Sequence, residues 1–355
     1  MRHKYLFLII LLQFAFYSCS SNSSDNDNPI VSDVKLELNN SELKMDVGEN
    51  ETLTVTKAPS TNETLVWSTS NKVVATVFNG IVTAQQSGTA IITATLGTHT
   101  AQCTVTVAQR TYKLVWSDEF DGNTLNTDNW AYETGGNGWG NNEKQYYTNR
   151  PENIRVENGF LTIEARKENY EGSAYTSARI KSANKKDFAY GKIEARLKVP
   201  SGKGTWPAFW MLGYGSWPSA GEIDIMEHVG YQPKAIHCAL HTKNKNGMNG
   251  QNFKGTQELA ENVANDFHII TMEWVKDELL GFDRIHISID GVETTTFGET
   301  PPLQDSGDWP FNKNFFFILN FAIGGNWGGI QGIDDTIFNN PVLYQVDYVR
   351  VYQLQ

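Results

Sequence analysis

Apolar and polar residues alternate along most of this chain, which is the period-two pattern of half-buried strands. The alternation is clear in Leu161-Thr162-Ile163-Glu164-Ala165-Arg166 and across Lys192 to Leu197. Further strand-like runs are Phe160 to Arg166, Gly191 to Val199, Ile236 to His241, His268 to Trp274, Ile285 to Ile289, Phe315 to Phe321 and Tyr344 to Val351. Helical periodicity is almost missing, and Ala260 to Asn265 offers a short helical turn at most. Residues 111–355 therefore read as one large two-sheet β-sandwich. Before it, Val34 to Val107 reads as short strands with turn signals at Asp46 to Glu49, Asn79-Gly80 and Ser87-Gly88, the pattern of a smaller β-sandwich at residues 30–108. The fold class is all-β throughout.

One stretch breaks the alternation. Gly221-Glu222-Ile223-Asp224-Ile225-Met226-Glu227 carries three carboxylates interleaved with apolar residues. Strict alternation puts Glu222 and Asp224 on one face and sends Glu227 to the other. One extra residue, a β-bulge near Met226, returns Glu227 to the acid face, and bulges concentrate beside active sites. Glu222 and Glu227 are then about four strand steps apart, roughly 13 Å between Cα atoms. Side chains leaning together reduce this to a carboxyl gap on the order of 5–6 Å, close to the ~5–5.5 Å of a retaining glycosidase. Asp224 between them adds negative charge that can keep a neighbouring Glu protonated. A polar sheet edge or part of a metal site remain alternatives on these residues alone.

Composition narrows the classes. With 40% hydrophobic and 19% charged residues the chain is globular, and its net charge of −11 makes nucleic acid a poor ligand. Arg2 and Lys4 followed by the apolar run Tyr5 to Phe16 form an export signal at residues 1–18, too short to span a membrane comfortably. Cys19 and the Ser/Asn/Asp-rich tether at 19–29 look like a lipoprotein processing site, with an ordinary cleaved signal as the alternative. The expectation is a lipid anchor on Cys19 as the sole membrane contact, at the bacterial outer membrane and on the cell surface. The remaining cysteines, Cys103 and Cys238, fall in different units and are expected to be buried free thiols.

Trp206-Pro207-Ala208-Phe209-Trp210-Met211-Leu212, Trp217-Pro218 and Gly221 to Glu227 together resemble glycoside hydrolase family 16, and the Glu-x-Asp-x-x-Glu spacing resembles its laminarinase-like branch. The resemblance runs from about Tyr112 to Tyr352. It implies a β-jelly roll with a cleft on the concave sheet. It also implies Glu222 as nucleophile, Asp224 as assistant and Glu227 as acid/base. Within residues 30–108, Val66 to Asn71, Val74 to Val77 and Gly80 to Ala84 resemble a bacterial Ig-like domain of group 2, a spacer or, alternatively, a carbohydrate-binding unit.

Other residues fall into place around the cleft. The Gly-rich loop Gly135 to Glu143 can approach a flat ligand closely, and the resemblance makes Asn142 a sugar-hydroxyl ligand. Arg179 is expected to bind substrate, with a core salt bridge as the alternative. Trp206, Trp210 and Trp217 are candidate stacking platforms, with core packing as the alternative; Trp327 is a further possible stacker in Asn320 to Gly329. His241 is expected to hydrogen-bond in the cleft, whereas His237 reads as structural. At about 13 Å along the strand the two cannot share one ion. The resemblance also implies a structural calcium on the convex face, held by Glu119, the Gly159 carbonyl and Asp347; catalysis needs no cofactor. The expected reaction is endo-hydrolysis of β-1,3-glucan by a monomer. Mixed-linkage glucan, algal galactan, transglycosylation and non-catalytic glycan binding stay open as alternatives.

Overall fold

A computed structural model describes residues 34–109, 111–277, 282–298 and 309–355. The signal at 1–18, the tether and Cys19 lie outside the described residues. Residues 34–108 contain three small sheets, the pair Glu37–Leu38 with Val55–Lys57 and two larger ones. One orders the strands Glu42–Asp46, His99–Ala108, Gly88–Leu96 and Leu65–Thr69; the other orders Asn50–Thr52, Ile81–Ala84 and Ala75–Phe78. They enclose a common core of Met45, Leu53, Val82, Ile92, Cys103 and Val105, with Trp67 packed against it. A sandwich with its own core is the arrangement the short alternating strands require, since each sheet has one apolar face to cover.

Residues 111–355 form a two-sheet β-jelly roll. Among the described residues one sheet has ten strands. Its centre is Val342–Leu354 flanked by Phe160–Tyr170 and Gly191–Lys198, with Tyr112–Asp118 also pairing to Val342–Leu354. The other sheet has eight strands. Across it run Ala131–Glu133, Arg179–Lys181, Phe315–Ile323, Thr205–Gly213, Glu222–Glu227, Ala235–His241 and Phe253–Glu258. The inner faces interdigitate: Ile193, Ala195 and Leu197 from the first sheet and Phe209, Met211, Ile223, Phe317 and Leu319 from the second are fully buried in one cluster. Burying that apolar surface at roughly 25 cal/mol per Å² is the main force joining the sheets.

The helical content is as sparse as the periodicity predicts. Val263–Asn265 is a single 3-10 turn within the Ala260 to Asn265 segment, capped by the Asn262 side chain accepting from the Ala264 N–H. Cys103 and Cys238 are free and buried, one in each unit.

Candidate active site

Strand register explains why three acids meet. On Thr205–Gly213, Pro207, Phe209 and Met211 point into the core, while Trp206, Ala208 and Trp210 point out of the sheet and line a cavity of about 950 Å³. Glu222–Glu227 pairs with this strand: Leu212 lies opposite Glu222, Trp210 opposite Asp224, Phe209 opposite Met226 and Ala208 opposite Glu227. One residue of the acid strand has no opposite number, and it is Ile225. The bulge therefore falls at Ile225-Met226, where the sequence places it near Met226. Ile225 and Met226 are both fully buried in the inter-sheet core. Two successive side chains turned inward are what return Glu227 to the outer face with Glu222 and Asp224. All three acids line the cavity.

Each carboxyl has specific neighbours. The Trp206 indole N–H donates to Glu227 Oε1 at 3.0 Å. The Trp217 side chain lies beside Glu222 and favours its charged form. His241 faces the other two acids, its Nε2 3.1 Å from Asp224 Oδ2 and 3.7 Å from Glu222 Oε1. Register accounts for this placement, since Glu222 lies opposite His241 on the next strand. The Gly247 N–H donates to His241 Nδ1 at 2.9 Å. Nδ1 is therefore the acceptor, which assigns the hydrogen to Nε2, facing the acids; the Asn252 amide, 3.5 Å from Nε2, then turns its oxygen to the ring.

Burial pushes all three carboxyls up, each to about 8. For Glu222 and Glu227 the charge of Asp224 adds to burial, and the tryptophans beside them pull the other way. No lysine or arginine pairs with any of the three among the described residues, so full ionisation of the cluster is disfavoured and protons are shared. Such a group can hold one carboxyl ionised and another protonated near neutrality.

The remaining site residues divide clearly. Arg179 lines the cavity with its guanidinium over the Trp139 ring at 4.7 Å and the Trp210 ring at 4.9 Å, and it donates to Glu133 Oε2 at 2.6 Å. It is thus both ion-paired and at the cleft. Trp210 donates to Asn320 Oδ1 at 2.7 Å, and Trp217, whose ring lies tilted against His241 at 6.1 Å, lines the cavity and is 38% exposed. Asn142 is not among the lining residues. Its backbone is left-handed, with φ 56°, and its amide donates to Asn326 Oδ1 at 2.8 Å; Asn141 and Asn326 line the cavity instead.

His237, read from sequence as structural, also lines the cavity. Both its ring nitrogens are engaged, by Thr256 and Gln232, and Trp327 packs edge-on at 5.0 Å. Trp327 in turn meets Trp206 edge-on at 5.5 Å. Sequence reasoning missed Glu143, which is 8% exposed and accepts from Gln145 and the Tyr147 hydroxyl. It ends the Gly-rich loop Gly135 to Glu143, is bridged to Gly324 and lines the cavity.

The three calcium candidates lie on neighbouring segments of the ten-stranded sheet, but the two carboxylates are already ion-paired. Arg350 donates to both oxygens of Glu119, at 2.9 and 2.7 Å, and Arg196 donates to Asp347. Gly159 occupies the turn between Ile154–Glu157 and Phe160–Tyr170 at φ 80°. Two guanidinium groups repel a divalent cation and hold both oxygens of Glu119 and one of Asp347, so these residues do not fit calcium as they stand.

The sequence matches the model described as glycosyl hydrolases family 16 over residues 141–348. A second model, described as β-glucan synthesis-associated protein SKN1/KRE6/Sbg1, matches residues 52–222 and stops short of Asp224 and Glu227. A curated relative, the "Beta-glucanase" of Rhodothermus marinus, is 46% identical over 252 residues, covering 68% of this chain and 85% of that protein. The solved structure of the laminarinase from Rhodothermus marinus is similar with a TM-score of 0.64 at 45% identity, covering 69% of this chain and 99% of that one. SCLam, described as a non-specific endo-β-1,3(4)-glucanase, is similar with a TM-score of 0.63 at 42% identity, covering 69% and 92%.

Proposed function

The chain belongs to glycosyl hydrolase family 16, and from that premise we propose that it is an endo-acting β-1,3-glucan hydrolase that retains anomeric configuration. It is a glycoside hydrolase, and its relatives point to β-glucan as substrate. One observation carries the finer reading: the Ile225 bulge puts Glu222, Asp224 and Glu227 on the same wall of one cavity.

In the proposed mechanism Glu222, ionised, attacks the anomeric carbon while Glu227 gives its proton to the departing glycosidic oxygen. The carbon–oxygen bond breaks and a glycosyl ester forms on Glu222. Water then attacks the same carbon, Glu227 takes its proton, and Glu222 leaves as carboxylate. Trp217 and His241 face Glu222 and favour its charged form, and Trp206 does the same for Glu227, so the division of roles follows the order of the two acids in the family's motif. Asp224, the most buried of the three, shares the cluster's protons and holds the His241 side of the site. Trp206, Trp210 and Trp217 supply apolar faces for sugar rings, and Arg179 and Asn326 supply donors for hydroxyls.

Laminarin, lichenan and agarose, each incubated with the protein and the products sized, test substrate and mode together. Early mid-length laminarin fragments are expected. Equal cleavage of lichenan would favour a mixed-linkage enzyme, a reading supported by the likeness to SCLam. Cleavage of agarose alone would overturn the glucan reading.

We further propose that residues 30–108 are an Ig-like spacer and that Cys19 carries a lipid holding a monomeric enzyme at the outer-membrane surface. Metabolic labelling with a fatty acid, lost in Cys19→Ala, tests the anchor; surface proteolysis tests its face, and light scattering the monomer.

A further inference from the structure

The segment after His241 is built more firmly than a surface loop needs to be. Asn246, 5% exposed, is its hub. Its amide donates to the Thr242 carbonyl at 3.2 Å and the Lys243 carbonyl at 3.1 Å, and its Oδ1 accepts from the Met248 N–H at 3.1 Å. Its own N–H donates to Asn249 Oδ1 at 3.2 Å, and the Thr242 N–H closes on the Lys245 carbonyl at 2.7 Å. Gly247, between the hub and Met248, is thereby held with its N–H on His241 Nδ1. A Cβ at Gly247 would lie 3.0 Å from His241 Cε1, so only glycine lets the backbone come this close to the ring without displacing it.

The polarity of that contact has a chemical consequence. Glu222, Asp224 and His241 place one donor atom each within 4.8 Å of one another, the makings of a metal site. A histidine that ligates through Nε2 carries its hydrogen on Nδ1 and donates it to a carbonyl or carboxylate. Here Nδ1 meets an N–H, which a hydrogen on Nδ1 would oppose. Meanwhile Asp224 Oδ2 is buried with no aligned hydrogen-bond donor, and His241 Nε2 is the N–H facing it at 3.1 Å. Catalytic hydrogen bonds of this kind often come into line only when substrate binds.

We propose that Gly247 is a positioning residue: its backbone N–H holds His241 in the tautomer with hydrogen on Nε2, so that the ring turns an N–H toward Asp224 and Glu222 and does not join them in ligating a metal ion. The proposal deepens the catalytic reading of those acids and rests on it, but the tautomer is measured without substrate.

Nitrogen-15 spectra of the full chain labelled at histidine, with His241 assigned by its loss in His241→Gln, read the tautomer directly. Nδ1 is expected to be unprotonated and Nε2 protonated at neutral pH. Gly247→Pro removes the N–H. It is expected to populate the Nδ1–H form, to lower kcat about tenfold with little change in KM, as loss of a group behind a catalytic residue does, and to become inhibited by zinc concentrations that leave the parent protein active. Gly247→Ala keeps the N–H but displaces the ring, and is expected to lower kcat without zinc sensitivity. A parent protein with hydrogen on Nδ1 overturns the proposal whatever the variants do. So does a folded Gly247→Pro variant with the parent's tautomer and kcat. Inactivity of the parent on every glucan, with the expected tautomer, would instead count against the function.

Discussion

Trp206 donates its indole N–H to Glu227 Oε1 at 3.0 Å. The two residues are brought together because Ala208, two positions along from Trp206 on the same outward face, lies opposite Glu227 across the strand pair. The bond favours the charged form of a carboxyl that burial pushes up to about 8. Trp206→Phe keeps an aromatic surface and removes the donor. The Glu227 pKa then rises further, so the alkaline limb of kcat/KM, where the acid loses its proton, moves to higher pH. We expect kcat to fall about tenfold, within the usual worth of acid–base assistance. A pH–rate profile against laminarin checks both.

The acid cluster should cost stability at the pH where it works. Carboxyls whose folded-state pKa lies above the unfolded value bind more protons folded than unfolded between the two values. Here that window runs from roughly 4 to about 8, and stability falls as pH rises through it. Glu222→Gln or Asp224→Asn removes the burden. Each is expected to raise the unfolding midpoint at pH 8, by about 2–4 °C for each kcal/mol relieved in a domain of this size, and to leave it unchanged at pH 4. Activity in Glu222→Gln and Glu227→Gln is expected to fall by several decades. Calorimetry at the two pH values, alongside turnover, checks this prediction.

Arg179 is held between the Trp139 and Trp210 rings and against Glu133. A lysine keeps the charge but cannot lie flat between two indoles or keep the same hydrogen-bonding fork. Loss of two cation–π contacts at about 0.5–2 kcal/mol each should lower kcat/KM for laminarin roughly tenfold and lower the midpoint as well. Arg179→Lys with parent-like kinetics would remove Arg179 from the substrate-binding set and leave it a role in the fold.

Calcium was expected on Glu119, Gly159 and Asp347, and the ion pairs of Arg350 and Arg196 stand against it. A chelator is expected to leave the thermal midpoint unchanged, and added calcium to leave it unchanged too. A rise of several degrees with calcium, reversed by the chelator, would show that the guanidinium groups give way to the ion.

What was legible in the sequence was what local pattern encodes. Strand positions, the sparse helix, the outward parity of Trp206 and Trp210 and the need for a bulge all follow from which residues are apolar. The adjacent pair Ile225-Met226 marks the bulge directly, because two neighbouring core side chains cannot fit strict alternation. What was illegible depended on partners far along the chain. Asn142 has a left-handed backbone and is tied to Asn326 of the cavity wall. Glu143 is bridged to Gly324 and lines the cavity. Glu119 finds Arg350 because Ser117 pairs with it across the sheet edge. No spacing rule reports such pairings before the strands are laid side by side.

The central claim is that Glu222 and Glu227 act in turn on one glycosidic bond through an ester on Glu222. Following the hydrolysis of laminarin by proton NMR from the first seconds reads the configuration of the newborn reducing end. The account predicts that the β-anomer forms first and then mutarotates. The α-anomer forming first would mean that water attacks the sugar directly, and the assignment of Glu222 as nucleophile would be wrong.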